Sequence, residues 1–300
     1  MIWESEIESF KGYLKVEKGL SDNSINAYVT DLTKLVTFVK EKGILDKGPD
    51  GISLTELNEM MEWVTQRGIS PRTQARIISG IKSFFKYLLI EEKIEKDPTA
   101  LLESPKIGRK LPEILSVEEI DSIIAAIDTK KPEGQRNKAI LETLYSCGLR
   151  VSELIDLKIS NLFFESGFIK IEGKANKERL VPISTKAIKE INLYLSEYRR
   201  TLRIHPDSED VLFLNRRGKK LSRVMIFTII KTLVEAIGME KNVSPHTFRH
   251  SFATHLIDGG ANLRAVQEML GHESIITTEI YTHLDKEYLK NTMIQFHPRS

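Results

Sequence analysis

The sequence predicts a mainly α fold in two parts, an N-terminal helical domain and a mostly helical C-terminal domain carrying a small β-sheet or hairpin. Three observations predict it. Apolar residues recur at helical spacing in the first hundred positions, as in Ile25, Val29, Leu32, Leu35, Val36 and Val39. A stretch with no apolar periodicity, Ser104-Pro105-Lys106-Ile107-Gly108-Arg109-Lys110-Leu111-Pro112, then interrupts the pattern. Beyond it, two short runs rich in β-branched residues flank a polar turn at Gly173. With 300 residues and 41% hydrophobic content, the chain has enough apolar material for two cores.

Along the chain, the 25–39 stripe lies between the polar Ser21-Asp22-Asn23-Ser24 and Gly43, and a second segment runs from Leu54 to Val64 ahead of Gly68. Ser70-Pro71 supplies an N-cap and a first-turn proline for a long helix to about Ile90. Phased from Arg72, the residues Arg76, Ser79, Ser83 and Lys86 fall within about 40°, and Ile77, Ile81, Phe84 and Leu88 lie on the opposite side. The outer face, with Arg72, Arg76, Ser79 and Lys86, reads either as a solvated surface or as a phosphate-contacting stripe.

The interrupting stretch reads as a basic linker over 104–112, with domains over 1–103 and 113–300. Ser116-Val117-Glu118-Glu119 opens the second domain with a capping-box pattern. The span from Asn137 to Cys147 is apolar at helical spacing, and Gly148 is a natural stop. Phe168 to Glu172 and Arg179 to Ile183 read as a hairpin around Gly173-Lys174-Ala175-Asn176-Lys177-Glu178. From Lys186 to the end the pattern is again mainly helical, apart from loops near Gly218 and Gly259-Gly260.

Charge does not announce a partner. Residues 1–107 carry 15 Lys and Arg against 17 Asp and Glu, and residues 108–300 carry 29 against 25. Neither part is the strongly basic block typical of nucleic-acid binding, so any such role needs cations arranged on particular faces. The single cysteine, Cys147, cannot form an internal disulfide or a multi-cysteine zinc site, and it reads as a small buried apolar residue in a reducing compartment. The acidic opening at Glu4 and Glu6 and the lack of an apolar run near the ~18 residues of a membrane span lead to the expectation of a cytoplasmic protein.

Six residues in the second domain form a set suited to breaking a phosphodiester without a metal: Arg150, Lys174, His246, Arg249, His272 and Tyr281. A phenol with a pKa near ~10 needs neighbouring cations or donors to act as a nucleophile, and a phosphate under attack needs its oxygens neutralised. Arginine does the latter best, because its fork binds two oxygens at once. Ser244-Pro245-His246 caps a helix and puts Arg249 three residues on, along the same face and near the helix N-terminus. Lys174 at the hairpin tip is placed to serve a leaving oxygen as general acid, and Lys177 is an equal candidate on spacing. Glu153, three residues after Arg150, reads as its ion-pair partner or as an orienting carboxylate. A zinc site at His246, His250 and His255 is disfavoured by the absence of HExxH and by Arg249 beside the ligands.

The segments Gly148-Leu149-Arg150-Val151-Ser152-Glu153-Leu154, Gly173-Lys174-Ala175-Asn176-Lys177-Glu178-Arg179, Ser244-Pro245-His246-Thr247-Phe248-Arg249-His250, Leu270-Gly271-His272 and Ile280-Tyr281-Thr282-His283 resemble the signatures of tyrosine recombinases (the phage integrase family). More narrowly, the chain resembles the bacterial Xer recombinases, and the likeness extends to Gly19-Leu20-Ser21, Ser70-Pro71-Arg72-Thr73 and the His297-Pro298-Arg299 ending. The resemblance implies a SAM-like core-binding domain followed by a catalytic domain, closed around DNA and bridged by the linker. It gives Arg150 and Arg249 the scissile phosphate, His246 and His272 hydrogen bonding and proton transfer, Lys174 the leaving 5′ oxygen, and Glu153 an accessory place. Tyr281 is the nucleophile that forms a 3′-phosphotyrosyl link.

It implies no cofactor, neither metal nor ATP, and a Holliday-junction intermediate. The implied partners are a double-stranded DNA recombination site, a homotetramer or a heterotetramer with a sister recombinase, and a division-associated DNA translocase. Leu284, Tyr288, Leu289 and Thr292 lie on one side of a short helix beyond Tyr281, which on its own reads as packing on the same chain, whereas the resemblance implies a tail, about 285–300, that contacts a neighbouring subunit. Chromosome dimer resolution at cell division is the expected role. The other readings are a mobile element's integrase and, from a different class, a DNA-binding protein without catalysis.

Overall fold

The computed structural model describes residues 2–108, 113–173, 178–271 and 283–299. They fall into two compact units, Met1–Lys110 and Leu111–Ser300, each with its own apolar core.

The first unit is four helices: α1 (Ile2–Val16), α2 (Asp22–Glu41), α3 (Leu54–Gln66) and α4 (Pro71–Ile90). The expected α2, α3 and α4 are all present. Ser53 and Ser70 cap the last two through their side chains, Ser53 in a full capping box with Glu56. Helix α1 precedes the helices expected from the sequence. It docks through Trp3, Phe10 and Leu14, with Ile7 and Tyr13 partly buried beside them and the Phe10 ring 5.4 Å from that of Phe84 and 5.3 Å from that of Tyr87. The inward side of α4 is as phased, with Ile77, Ile81, Phe84 and Leu88 all buried.

The second unit is mostly helical: α5 (Val117–Ala125), α6 (Gly134–Cys147), α7 (Val151–Ile155), α8 (Thr185–Leu193), α9 (Arg223–Ala236), α10 (Pro245–Asp258), α11 (Leu263–Leu270) and α12 (His283–Phe296). Between α7 and α8 lies an antiparallel sheet in the order β1 (Leu162–Phe163), β2 (Phe168–Glu172), β3 (Glu178–Pro182). The β2–β3 pair is the expected hairpin, in the register Ile169 opposite Val181 and Ile171 opposite Arg179. The two-residue β1 is too short to show an alternation. At the core of this unit is α6, whose whole second half is buried. Cys147 is among its buried residues, and burial pushes the thiol up to about 12.

One stretch departs from the helical expectation. After α8 the chain passes through a π turn at Tyr194–Tyr198 and short 3-10 turns before α9. The intervening Leu212, Phe213 and Leu214 are buried in an irregular bend, with isolated bridges at Val211 and Leu214. The Arg199 guanidinium holds this path by donating to the carbonyls of Glu209 and Val211, and the Leu214 N–H donates to the Tyr194 hydroxyl. Side chains thereby replace helical hydrogen bonds for a buried backbone.

Candidate active site

The site is assembled at the ends of helices. Helix α6 stops at Gly148, which sits in the left-handed region at φ 57°. The chain then turns through Leu149, and Arg150 becomes the N-cap residue of α7 with an extended backbone. Glu153, in the first turn of α7, reaches back to accept from the Arg150 backbone N–H at 2.8 Å and from its guanidinium at 2.8 Å. The Arg150 guanidinium also donates to the carbonyl of Gly271 at 3.3 Å, and its side chain remains 40% exposed.

Helix α10 brings in Arg249. Ser244 caps it, Pro245 fills its first turn, and His246 is exposed beside them. One turn further on, Arg249 is buried and donates to the carbonyls of Gly148 and Leu270, both at 2.7 Å. Both carbonyls are freed by helix ends, since Gly148 follows α6 and Leu270 closes α11. Burial, with help from Arg150 and Arg179 and against the pull of Glu153, lowers the Arg249 guanidinium to about 10. A cation in that setting lacks solvation and is ready to accept an anion.

Arg179, which is not among the six residues expected from the sequence, stands at the centre of this cluster. From β3 it forks onto Glu153, with both guanidinium nitrogens 2.9 Å from the two carboxylate oxygens, and its Nε donates to the Met269 carbonyl at 3.0 Å. Burial raises the Glu153 pKa, but the bonds and charges of Arg179 and Arg150 outweigh it, so the carboxyl lies below the ordinary carboxylate value. Gly271 completes the packing. It is left-handed at φ 63°, and a Cβ there would lie 3.0 Å from Arg179. The signal in the sequence is an arginine at the head of the apolar run Leu180-Val181-Pro182-Ile183.

Arg150, Glu153 and Arg249 are therefore brought together, with Arg179 added. Lys174, His272 and Tyr281 lie outside the described residues, as do Lys177 and linker residues 109–112. The Nδ1 of His255 lies 2.7 Å from the Tyr145 hydroxyl and His250 is exposed, and the described residues hold no group of three or more side chains that could bind a metal ion.

Helix α12 packs on its own unit. Leu289 and Met293 enter the core, and the His297 ring lies 4.8 Å from Tyr145 and 5.3 Å from Phe252. The buried Arg299 pairs with Asp121 at 2.5 Å and with the fully buried Glu142 at 3.2 Å.

In the first unit, Arg72, Arg76, Ser79 and Lys86 of α4 are all exposed. Two of them also have local partners: Ser79 donates to the Ala75 carbonyl at 3.0 Å, and Arg76 donates to Asp31 of α2 at 2.8 Å. Burial raises the Asp31 carboxyl above the usual range against the opposing effects of Arg76 and Lys34. The stripe has no carboxylate of its own, but α2 supplies one.

Comparison with known proteins agrees with this construction. Residues 113–288 match the phage integrase family, and residues 7–92 match the phage integrase N-terminal SAM-like domain. A tyrosine recombinase XerD from Listeria innocua is 42% identical over 294 residues, 98% of this chain and 99% of that protein. A XerD from Staphylococcus haemolyticus is 41% identical over 297 residues, 99% of this chain and all of that protein. Among solved structures, the XerH site-specific recombinase in a post-cleavage complex with a palindromic difH substrate superposes with a TM-score of 0.69 at 28% identity, covering 96% of this chain and 83% of that one.

The chain belongs to the phage integrase family, the tyrosine recombinases. Its full-length likeness to XerD proteins makes it a Xer-type member, a DNA strand-transferring enzyme.

Proposed function

We propose that this chain cuts and rejoins one strand of a double-stranded DNA recombination site, using Tyr281 as nucleophile and Arg150 and Arg249 as the phosphate clamp. The observation that carries the reading is that both guanidiniums are held from behind. Arg150 is held by Glu153 and the Gly271 carbonyl, and Arg249 by the Gly148 and Leu270 carbonyls. Cations fixed in advance at the place where charge develops stabilise the transition state without reorganising.

In this mechanism the Tyr281 oxygen attacks phosphorus as the bond to the 5′ oxygen breaks, and Lys174 delivers the proton to that leaving oxygen. His246 and His272 donate hydrogen bonds to the phosphate and assist proton transfer. The 3′-phosphotyrosyl link conserves the phosphodiester energy, so a 5′ hydroxyl from a partner duplex reverses the step with neither ATP nor metal. Two such exchanges pass through a Holliday junction.

The domain division at 104–112, with 1–103 binding the DNA core through the α4 face and 113–300 carrying out catalysis, belongs to the same reading. So do a homotetramer or a heterotetramer with a sister recombinase on paired sites, a trans contact made by the tail at about 285–300, and a division-associated DNA translocase as regulator. The XerD names of the relatives support chromosome dimer resolution in the cytoplasm as the role. No described helix is long and apolar enough to cross a membrane.

The test is a nicked suicide duplex carrying the recombination site, incubated without metal or ATP. A covalent protein–DNA adduct is expected from the unsubstituted chain and none from Tyr281→Phe. An adduct that survives the substitution removes Tyr281 from the mechanism.

A further inference from the structure

We propose that Arg179 is a positioning residue of the strand-transfer site, one that occupies Glu153 so that this carboxylate orients Arg150 and leaves Arg249 free for the phosphate. The inference rests on the phosphate-clamp reading above and extends it to a residue outside the clamp.

Glu153 is 4% exposed, and a carboxylate has about four acceptor directions. All four are taken. One oxygen accepts from the guanidiniums of Arg150 and Arg179, at 2.8 and 2.9 Å. The other accepts from the Arg150 backbone N–H at 2.8 Å and from the second nitrogen of Arg179 at 2.9 Å. Arg249 is left 3.9 Å from the carboxylate, beyond hydrogen-bond distance. Half of the capacity of Glu153 goes to the two-nitrogen fork of an arginine that is itself almost fully buried.

The charges explain why this matters. Three guanidiniums and one carboxylate leave the cluster at net +2. Without Arg179 it would fall to +1, and Glu153 would have two empty acceptor directions beside Arg249. Because Glu153 and Arg249 are both buried, such a carboxylate competes with the phosphate oxygens for the Arg249 N–H groups. Arg179 therefore confines Glu153 to orienting Arg150.

Position adds a second function. Arg179 lies five residues after Lys174 on the strand that leaves the hairpin tip, and its Nε holds the Met269 carbonyl three residues before His272. One side chain thus joins β3, the start of α7 and the end of α11. These are the elements next to Lys174, Arg150 and His272.

The experiment is single-turnover adduct formation on the suicide duplex, with DNA affinity and thermal unfolding measured in parallel. Arg179→Met is expected to slow adduct formation about 100-fold, the scale of a displaced catalytic group, while DNA affinity stays within about threefold. Adding Glu153→Gln to Arg179→Met is expected to restore about tenfold, because the competing charge is gone. A residue that only fills space predicts no such rescue. An Arg179→Met rate within about threefold of the unsubstituted chain, or a double variant no faster than the single, overturns the proposal.

If Arg179→Met loses cooperative unfolding, Arg179→Lys decides. It keeps the charge but loses the fork and the Met269 contact, so a loss of about tenfold is expected and an unchanged rate overturns the proposal. Absence of a Tyr281-dependent adduct in the unsubstituted chain sinks the strand-transfer reading and this proposal with it. Normal adducts from both the unsubstituted chain and Arg179→Met sink only the role of Arg179.

Discussion

The Arg249 guanidinium donates to the carbonyl of Gly148, 2.7 Å away and 101 residues earlier in the chain. That carbonyl is available because Gly148 ends α6 in the left-handed region, and the bond ties the clamp to the most buried helix of the unit. A Cβ at position 148 would lie 2.4 Å from Cδ1 of Phe252. Gly148→Ala therefore combines a left-handed backbone penalty of about 1–2 kcal/mol with overpacking of about 1–3 kcal/mol. The expected result is a loss of about 2–5 kcal/mol in denaturant unfolding, with slower adduct formation at temperatures where the variant is still folded. A loss below about 0.5 kcal/mol would show that α6 can end without glycine.

The clamp was legible in the sequence because its residues lie close to local signals. Gly148 stops a helix two residues before Arg150, and Ser244-Pro245 starts one five residues before Arg249. Arg179 was not legible as a site residue, because its partners Glu153 and Met269 are 26 and 90 residues away and no local spacing encodes them. The same reason hid the Arg76–Asp31 pair, which joins α2 to a face that read as purely basic. Helix α1 carries a legible stripe too, since Trp3, Ile7, Phe10 and Leu14 recur at helical spacing and all pack on the core of the first unit. The irregular path after α8 depends on the hydroxyl of Tyr194 and the guanidinium of Arg199, which satisfy backbone groups that a sequence pattern would assign to helix.

Replacing Arg249 by lysine keeps a charge but cannot span two carbonyls and a phosphate. Arg249→Lys is expected to reduce single-turnover adduct formation by about 100- to 1,000-fold, the scale of losing one preorganised donor. Its effect on DNA affinity should be small, because one phosphate contact among many is retained as charge. Parallel rate and affinity measurements check this, and a rate within about tenfold of the unsubstituted chain would remove Arg249 from the clamp.

Stability near the C-terminus should depend on pH through His297. Its Nδ1 accepts from the Arg299 backbone N–H at 3.0 Å, so the ring is neutral with the proton on Nε2, which donates to the Tyr145 carbonyl at 3.3 Å. Burial, reinforced by Arg299 and His255, lowers its pKa from 6.5 to about 3. Below pH 6.5 the unfolded chain takes up a proton that the folded chain refuses, so stability falls as pH falls through this window, by about 1.4 kcal/mol per pH unit. His255 is shifted in the same direction and adds to the slope. Glu153 and the other carboxyls with lowered pKa act only at lower pH, since they remain charged until below their ordinary values. Denaturant unfolding at pH 7, 6 and 5 should show this loss, and His297→Gln should flatten the slope by about 1.4 kcal/mol per unit below pH 6. An unchanged slope would mean that His297 leaves its pocket at no cost.

The α4 face gives a prediction in which two arginines behave differently. Each phosphate contact steepens the dependence of log affinity on log salt by about 0.9. Arg72 is exposed, so Arg72→Ala should flatten the slope by about that amount. Arg76 already donates to Asp31, whose side chain is 3% exposed, so part of its charge is spent within the unit. Arg76→Ala should change the salt slope less than Arg72→Ala while costing about 1–3 kcal/mol of stability, because it leaves a buried carboxylate with only Lys34 at 3.7 Å. Adding Asp31→Asn to Arg76→Ala should recover much of that stability without altering the slope further. Titrations at several salt concentrations, paired with unfolding curves, separate the two residues. If Arg72→Ala leaves the slope unchanged, the face is solvated surface and the DNA contact of the first unit lies on other residues.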